Sequence, residues 1–131
     1  MRVIDSSALV KYFSREVGWE KVGEIMSEGV VTLDLAIKEL SNALWKKVLK
    51  GEMNHEIAIR IIRDIVESKP FPIETQERYL LDAFEIAVKS NVTVYDALFI
   101  AMAKRKGLEL VTCDEKQAEI AEKLGLKVVL V

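Results

Sequence analysis

The sequence predicts an α/β fold built on a parallel sheet, from three observations. Short β-branched segments alternate with helical-period segments from one end to the other, and strands separated by helices imply a parallel sheet covered on both faces. The chain has 131 residues, half of them hydrophobic, enough to bury a sizeable core in one compact domain. No internal repeat, low-complexity tract or linker divides it, so residues 1–131 read as one domain.

Val3-Ile4 is a short apolar pair that stops at Asp5, and Ser6 to Phe13 continues at helical spacing. A second helical stretch runs from Trp19 to Glu28; Gly29 breaks it, and Val30-Val31 forms a β-branched pair bounded by Thr32. From Leu33 to Leu49, Ala36, Leu40, Ala43, Leu44 and Val48 fall on one stripe, closed by Gly51 as a helix C-cap. Ile57, Ile61 and Ile65 mark another helix, which Pro70 stops. Phe71-Pro72-Ile73 fits only a short edge strand, because Pro70 and Pro72 remove ladder donors. Helices follow at Thr75 to Lys89 and Thr93 to Lys106, the latter closed by Gly107. Leu108 to Thr112 reads as a strand, Glu115 to Leu124 as a helix, and Lys127 to Val131 as the last strand.

Composition removes several chemistries. One cysteine, Cys113, excludes an internal disulfide, and one histidine, His55, excludes a multi-histidine metal site within the chain. His55 follows Asn54 at a polar helix start and reads as an exposed residue. There is no nucleophile elbow, phosphate-cradling glycine loop or dinucleotide fingerprint, and the six glycines are scattered singly. The longest apolar run, Ala97 to Ala103, falls far short of the ~20 residues of a membrane span, and the N-terminus lacks the pattern of a signal peptide. A cytoplasmic home is the expectation. With 19 Lys+Arg against 21 Asp+Glu, a nucleic-acid partner needs a local basic patch. Glutamate and lysine richness, with two glutamines and three asparagines, hints at a thermophile.

Carboxylate is what remains in abundance, and hard oxygen ligands suit Mg²⁺ or Mn²⁺. Four acids stand out: Asp5, Glu39, Asp96 and Asp114. Each has a plainer reading. Asp5 or Ser6 suits a helix N-cap, and Thr93 with Asp96 resembles a capping box. Asp114 precedes a helix, although Thr112 and Glu115 offer a competing capping box that leaves it less obliged to cap. Glu39 projects at the edge of an apolar stripe, where a carboxylate needs a cation, a donor or a proton; a buried salt bridge to lysine is its plainer alternative. The set says more than its members. If the first and fourth strands are neighbours, Asp5 and Asp114 converge where the sheet reverses direction, and helices starting near Thr32 and Thr93 carry Glu39 and Asp96 over the same crevice. Two carboxylates 4 Å apart repel by roughly 4 kcal/mol at an effective dielectric near 20, so several such pairs need protons or a divalent cation to offset them, and a metal site is the simplest explanation.

The segments Val3-Ile4-Asp5-Ser6-Ser7-Ala8-Leu9-Val10-Lys11, Ala36-Ile37-Lys38-Glu39-Leu40, Val94-Tyr95-Asp96-Ala97-Leu98-Phe99-Ile100-Ala101-Met102-Ala103 and Leu110-Val111-Thr112-Cys113-Asp114-Glu115-Lys116 resemble the PIN-domain family, specifically its small VapC-like ribonuclease toxins. The resemblance implies a PIN-like three-layer sandwich, with a parallel sheet of about five strands in the order 3-2-1-4-5 between helices. It also implies bound Mg²⁺ or Mn²⁺ and cleavage of RNA leaving a 5′-phosphate and a 3′-hydroxyl. Asp5, Glu39, Asp96 and Asp114 match the family's acidic quartet, with Ser6, Ser7 and Thr112 at supporting hydroxyl positions.

On this reading Asp5, Asp96 and Asp114 are metal ligands, and Glu39 either ligates or orients and deprotonates the attacking water. Lys11, Arg15 and Lys38 are the candidate RNA contacts; Lys46, Lys47 and Lys50, like Lys104, Arg105 and Lys106, suit the dipoles of helix C-termini instead. Tyr12 and Phe13 are candidates for base stacking, with packing the alternative for Phe13, and Trp45 is expected in the core. The resemblance further implies a homodimer and a cognate antitoxin, for which Val10, Phe13, Val17 and Trp19 offer an apolar surface. Two other classes stay open. A non-catalytic PIN module would bind RNA or a protein partner without cleaving it. A receiver or phosphatase would need Asp-x-Asp, or an acidic pair, near the first strand, and here Ser7 and Asp5-Ser6 supply neither.

Overall fold

A computed structural model describes residues 1–131. Its strands are β1 (Arg2–Ile4), β2 (Val30–Leu33), β3 (Ile73–Glu74), β4 (Leu110–Thr112) and β5 (Val128–Leu130). Its helices are α1 (Ser6–Phe13), α2 (Trp19–Ser27), α3 (Asp34–Leu49), α4 (His55–Ser68), α5 (Leu80–Ser90), α6 (Val94–Lys106) and α7 (Glu115–Lys123), with a 3₁₀ turn at Gln76–Tyr79 ahead of α5. All strand pairings are parallel and the spatial order is β3-β2-β1-β4-β5. The sheet lies between helices in a three-layer sandwich, as expected.

Local chemistry accounts for most boundaries. Asn54 caps α4 by accepting from the Glu56 amide at 2.7 Å, and Thr93 caps α6 by accepting from the Asp96 amide at 3.2 Å. Gly107 ends α6 at φ 66, where a side chain would be strained, and Gly51 sits at φ 76 just past α3. The prolines hold β3 to two residues at the sheet edge; Pro72 still accepts a bond from the Thr32 amide at 3.1 Å, because proline lacks only the donor.

Three expectations need correction. The helix expected from Leu33 begins at Asp34, and Thr32 belongs to β2, where its hydroxyl donates to the Ile4 carbonyl at 2.6 Å. The segment from Thr75 is not one helix: it opens with the 3₁₀ turn, whose Gln76 amide donates to Asp34 Oδ1 at 3.0 Å. Trp45 is not core but 55% exposed on α3. By contrast, the apolar run Ala97 to Ala103 is buried on every side within α6, which packs on α5 and β1. No single helix is long and apolar enough to cross a membrane.

Candidate functional site

β1 and β4 are hydrogen-bonded neighbours, pairing Val3 with Leu110 and Ile4 with Val111. The sheet order reverses at β1, so the crevice beyond the carboxyl ends of β1 and β4 is the switch point where open parallel sheets hold their ligands. Asp5 follows β1 immediately and is 2% exposed. It caps α1 by accepting from the Ala8 amide at 3.0 Å, so the cap and the buried acid are one residue rather than alternatives.

Two hydroxyls complete its shell. Ser7 donates to Asp5 Oδ1 at 2.7 Å, and Thr112, from the end of β4, donates to Oδ2. With both hydroxyl protons committed to Asp5, the 3.2 Å contact between Ser7 and Thr112 carries no hydrogen bond of its own. The two oxygens accept instead from the main chain: Ser7 Oγ from the Cys113 amide at 2.9 Å, Thr112 Oγ1 from the Asp114 amide at 3.0 Å. The β4–α7 turn is thus latched to the start of α1 through Asp5. Every donor around Asp5 favours its anion, yet burial prevails and, with the charge of Asp114 adding to it, pushes its pKa up to about 6.

Asp114 is exposed and caps α7, its Oδ1 accepting from the Lys116 and Gln117 amides at 2.9 and 3.1 Å. The competing box from Thr112 does not form, because the Thr112 hydroxyl is turned to Asp5. Asp96 stands half-buried in the first turn of α6; burial raises its pKa and the Asp114 charge raises it further. Asp96 and Asp114 line a cleft of about 120 Å³ together with Lys116 and Gln117. Glu39, half-buried on α3, accepts from Ser6 Oγ at 2.9 Å in place of a lysine salt bridge. Its pKa is raised by burial and then by the charge of Asp96.

The four acids therefore form a chain of mutual repulsion, Glu39 to Asp96 to Asp114 to Asp5. None of the seven ion pairs in the molecule includes any of them. All-oxygen donors that lack an ion-pair partner, with only the charge of Lys116 acting on Asp96, fit a hard divalent cation. As they stand, no three of the side chains lie close enough together to enclose an ion; Asp114 is turned to its helix and Glu39 to Ser6.

The candidate RNA contacts are dispersed. Lys11 lies over Gly18, where an added Cβ would meet its Nζ at 3.2 Å, and the Arg15 guanidinium stacks over Trp19 at 4.0 Å from the ring centroid. Tyr12 meets both Phe13 and Trp19 edge-to-face, so these rings pack on one another. Lys38 is exposed on α3 and lines a groove with Glu39 and Lys46. Lys106 pairs with Glu74, and Lys47 with Glu16 at 3.4 Å, as structural cations. Sequence reasoning missed Gln117. Its position three residues after Asp114 signals a helix start, but its side chain crosses to α6 and donates from Nε2 to the Asp96 carbonyl at 3.0 Å.

The model of the family described as PIN domain matches residues 2–123. The chain belongs to the PIN-domain family. It is similar to a Pyrobaculum aerophilum protein named Ribonuclease VapC3, 34% identical over 120 residues, covering 89% of this chain and 92% of that one. A second protein of that organism, named Exonuclease VapC9, is 31% identical over 114 residues, covering 87% and 80%. Among solved structures, that of PAE2754 from Pyrobaculum aerophilum superposes with a TM-score of 0.75 at 28% identity, covering 98% of this chain and 90% of that one. With the PIN family thus placed on this chain, its acidic cleft is the natural place to seek activity.

Proposed function

We propose that residues 1–131 act as one Mg²⁺- or Mn²⁺-dependent endoribonuclease domain, the cytoplasmic toxin of a type II toxin–antitoxin pair. The observation that carries the reading is Asp5: a carboxylate 2% exposed, without any cationic partner, at the switch point of the sheet and within the field of Asp114. The likeness to a protein named a ribonuclease supports RNA as substrate.

Asp5, Asp96 and Asp114 would hold the ion, with Glu39 beside them. When bound, the ion supplies charge neutralisation at the scissile phosphate and a lower pKa for the attacking water. The chain's own residues do the rest. Ser7 and Thr112 fix the Asp5 carboxylate by donating to both its oxygens. Ser6 holds Glu39, whose raised pKa suits it to take the proton of the attacking water at Oε2 while Oε1 accepts from Ser6. Lys38, exposed beside Glu39, meets the RNA backbone, with Lys11 reaching it from the last turn of α1 and Arg15 from the α1–α2 turn.

An antitoxin covering this cleft and a second copy of the chain complete the proposal. Exposed Val17, with half-buried Val10, Phe13 and Trp19, offers the first an apolar footing, and exposed Leu81, Phe84 and Val88 on α5 offer one to the second.

Incubation of linear and circular RNA with the protein and Mn²⁺ tests the reaction. Wild type should cleave both substrates, and Asp5→Asn should lose at least about 100-fold in rate, on the scale of losing a metal ligand's environment or more. Cleavage of linear RNA alone would make the enzyme an exonuclease, the activity named for the second relative. Equal activity of wild type and Asp5→Asn would leave a non-catalytic PIN module as the reading.

A further inference from the structure

We propose that Gln117 is a positioning residue that sets the separation of Asp96 and Asp114, so that the two carboxylates take up a divalent cation together. The inference rests on the metal-dependent reading and deepens it. Gln117 is only 5% exposed, an uncommon setting for a primary amide at the start of a helix. It touches the machinery at both ends. Its main-chain amide donates to Asp114 Oδ1 at 3.1 Å, and its side-chain Nε2 donates to the Asp96 carbonyl at 3.0 Å.

That second bond is the only hydrogen bond or ion pair joining α6 to α7. The two helices arrive from different parts of the sequence, and α7 packs chiefly on β4 and β5 while α6 packs on α5 and β1. The charge of Lys116 in the first turn of α7 also favours the Asp96 anion, but it forms no ion pair, so no other directional bond sets the distance between the helix starts that carry the two acids. Asp96 and Asp114 repel one another, so an unlatched pair drifts apart when no cation is present. The direction of the amide is fixed by chemistry: a main-chain carbonyl accepts, so nitrogen must face Asp96. An apolar residue of equal volume fills the same space and loses the latch.

The test is Mn²⁺ binding to the full chain, read by electron paramagnetic resonance and calorimetry, for wild type, Gln117→Leu and Gln117→Met. Folding is followed by circular dichroism, and kcat is measured at saturating Mn²⁺. Both variants should bind Mn²⁺ about 10-fold more weakly, as loss of a supporting hydrogen bond does, with kcat at saturation within about 3-fold of wild type. Mn²⁺ uptake by wild type, matched at the same affinity by a folded variant, overturns this proposal alone. Loss of the folded state in both variants assigns Gln117 a structural role and overturns it too. Wild type that takes up no Mn²⁺ overturns the metal reading and this proposal with it.

Discussion

Asp5 is held as an anion at a cost. Its pKa of about 6 stands above its ordinary 3.8 because burial outweighs three hydrogen bonds. The folded chain therefore binds more protons than the unfolded chain between those values, and stability contributed by this group falls as pH rises from 4 to 6, then stays low. In the absence of metal, the stability of Asp5→Asn relative to wild type should grow by on the order of 3 kcal/mol between about pH 4 and pH 7. Urea titrations in chelator at several pH values measure it; parallel curves for the two proteins would contradict the assignment. The type and position of this residue are legible in the sequence, as an acid ending the first strand. Its burial is not, because burial depends on β4 arriving alongside with Thr112.

Helices and strands were the more legible scale, since their signals are local. Asn54, Thr93, Gly51 and Gly107 mark ends that the structure keeps, because capping bonds and left-handed backbone need no distant partner. Asn54→Ala should cost about 1 kcal/mol of stability by denaturant unfolding and leave RNA cleavage unchanged, since no residue of α4 lines the cleft of Asp96 and Asp114. The errors arose where a tertiary contact overrides a local signal. Thr32 has its hydroxyl taken by Ile4 on the neighbouring strand and so stays in β2. The Thr112 hydroxyl is taken by Asp5, leaving Asp114 to cap α7 alone. Gln117 carries the spacing of a capping partner but finds a better acceptor on α6. Trp45 sits at helical spacing from core positions yet remains on the surface, because the stripe that α3 buries is filled by Leu40 and Leu44.

For the molecule as a whole, the cation proposed for the acidic cleft would be a folding ligand as well as a reagent. A cation that binds the folded chain and not the unfolded one stabilises it by about 2.7 kcal/mol at 100-fold excess over its dissociation constant. Thermal melts should therefore show Tm rising with Mn²⁺ concentration in wild type and barely changing in Asp5→Asn; the same rise in both would detach the ion from this cleft. The sequence by itself determined the alternation of elements, the parallel sheet and the identity of the acids, because periodicity, caps and short motifs are written in neighbouring residues. Only the tertiary structure decided which acid is buried, that Asp5 and Asp114 both serve as caps, and which amide joins α6 to α7. Those outcomes follow from desolvation and from competition for hydrogen-bond partners, and both arise only when residues as distant as Asp5 and Thr112 are brought into contact by the sheet.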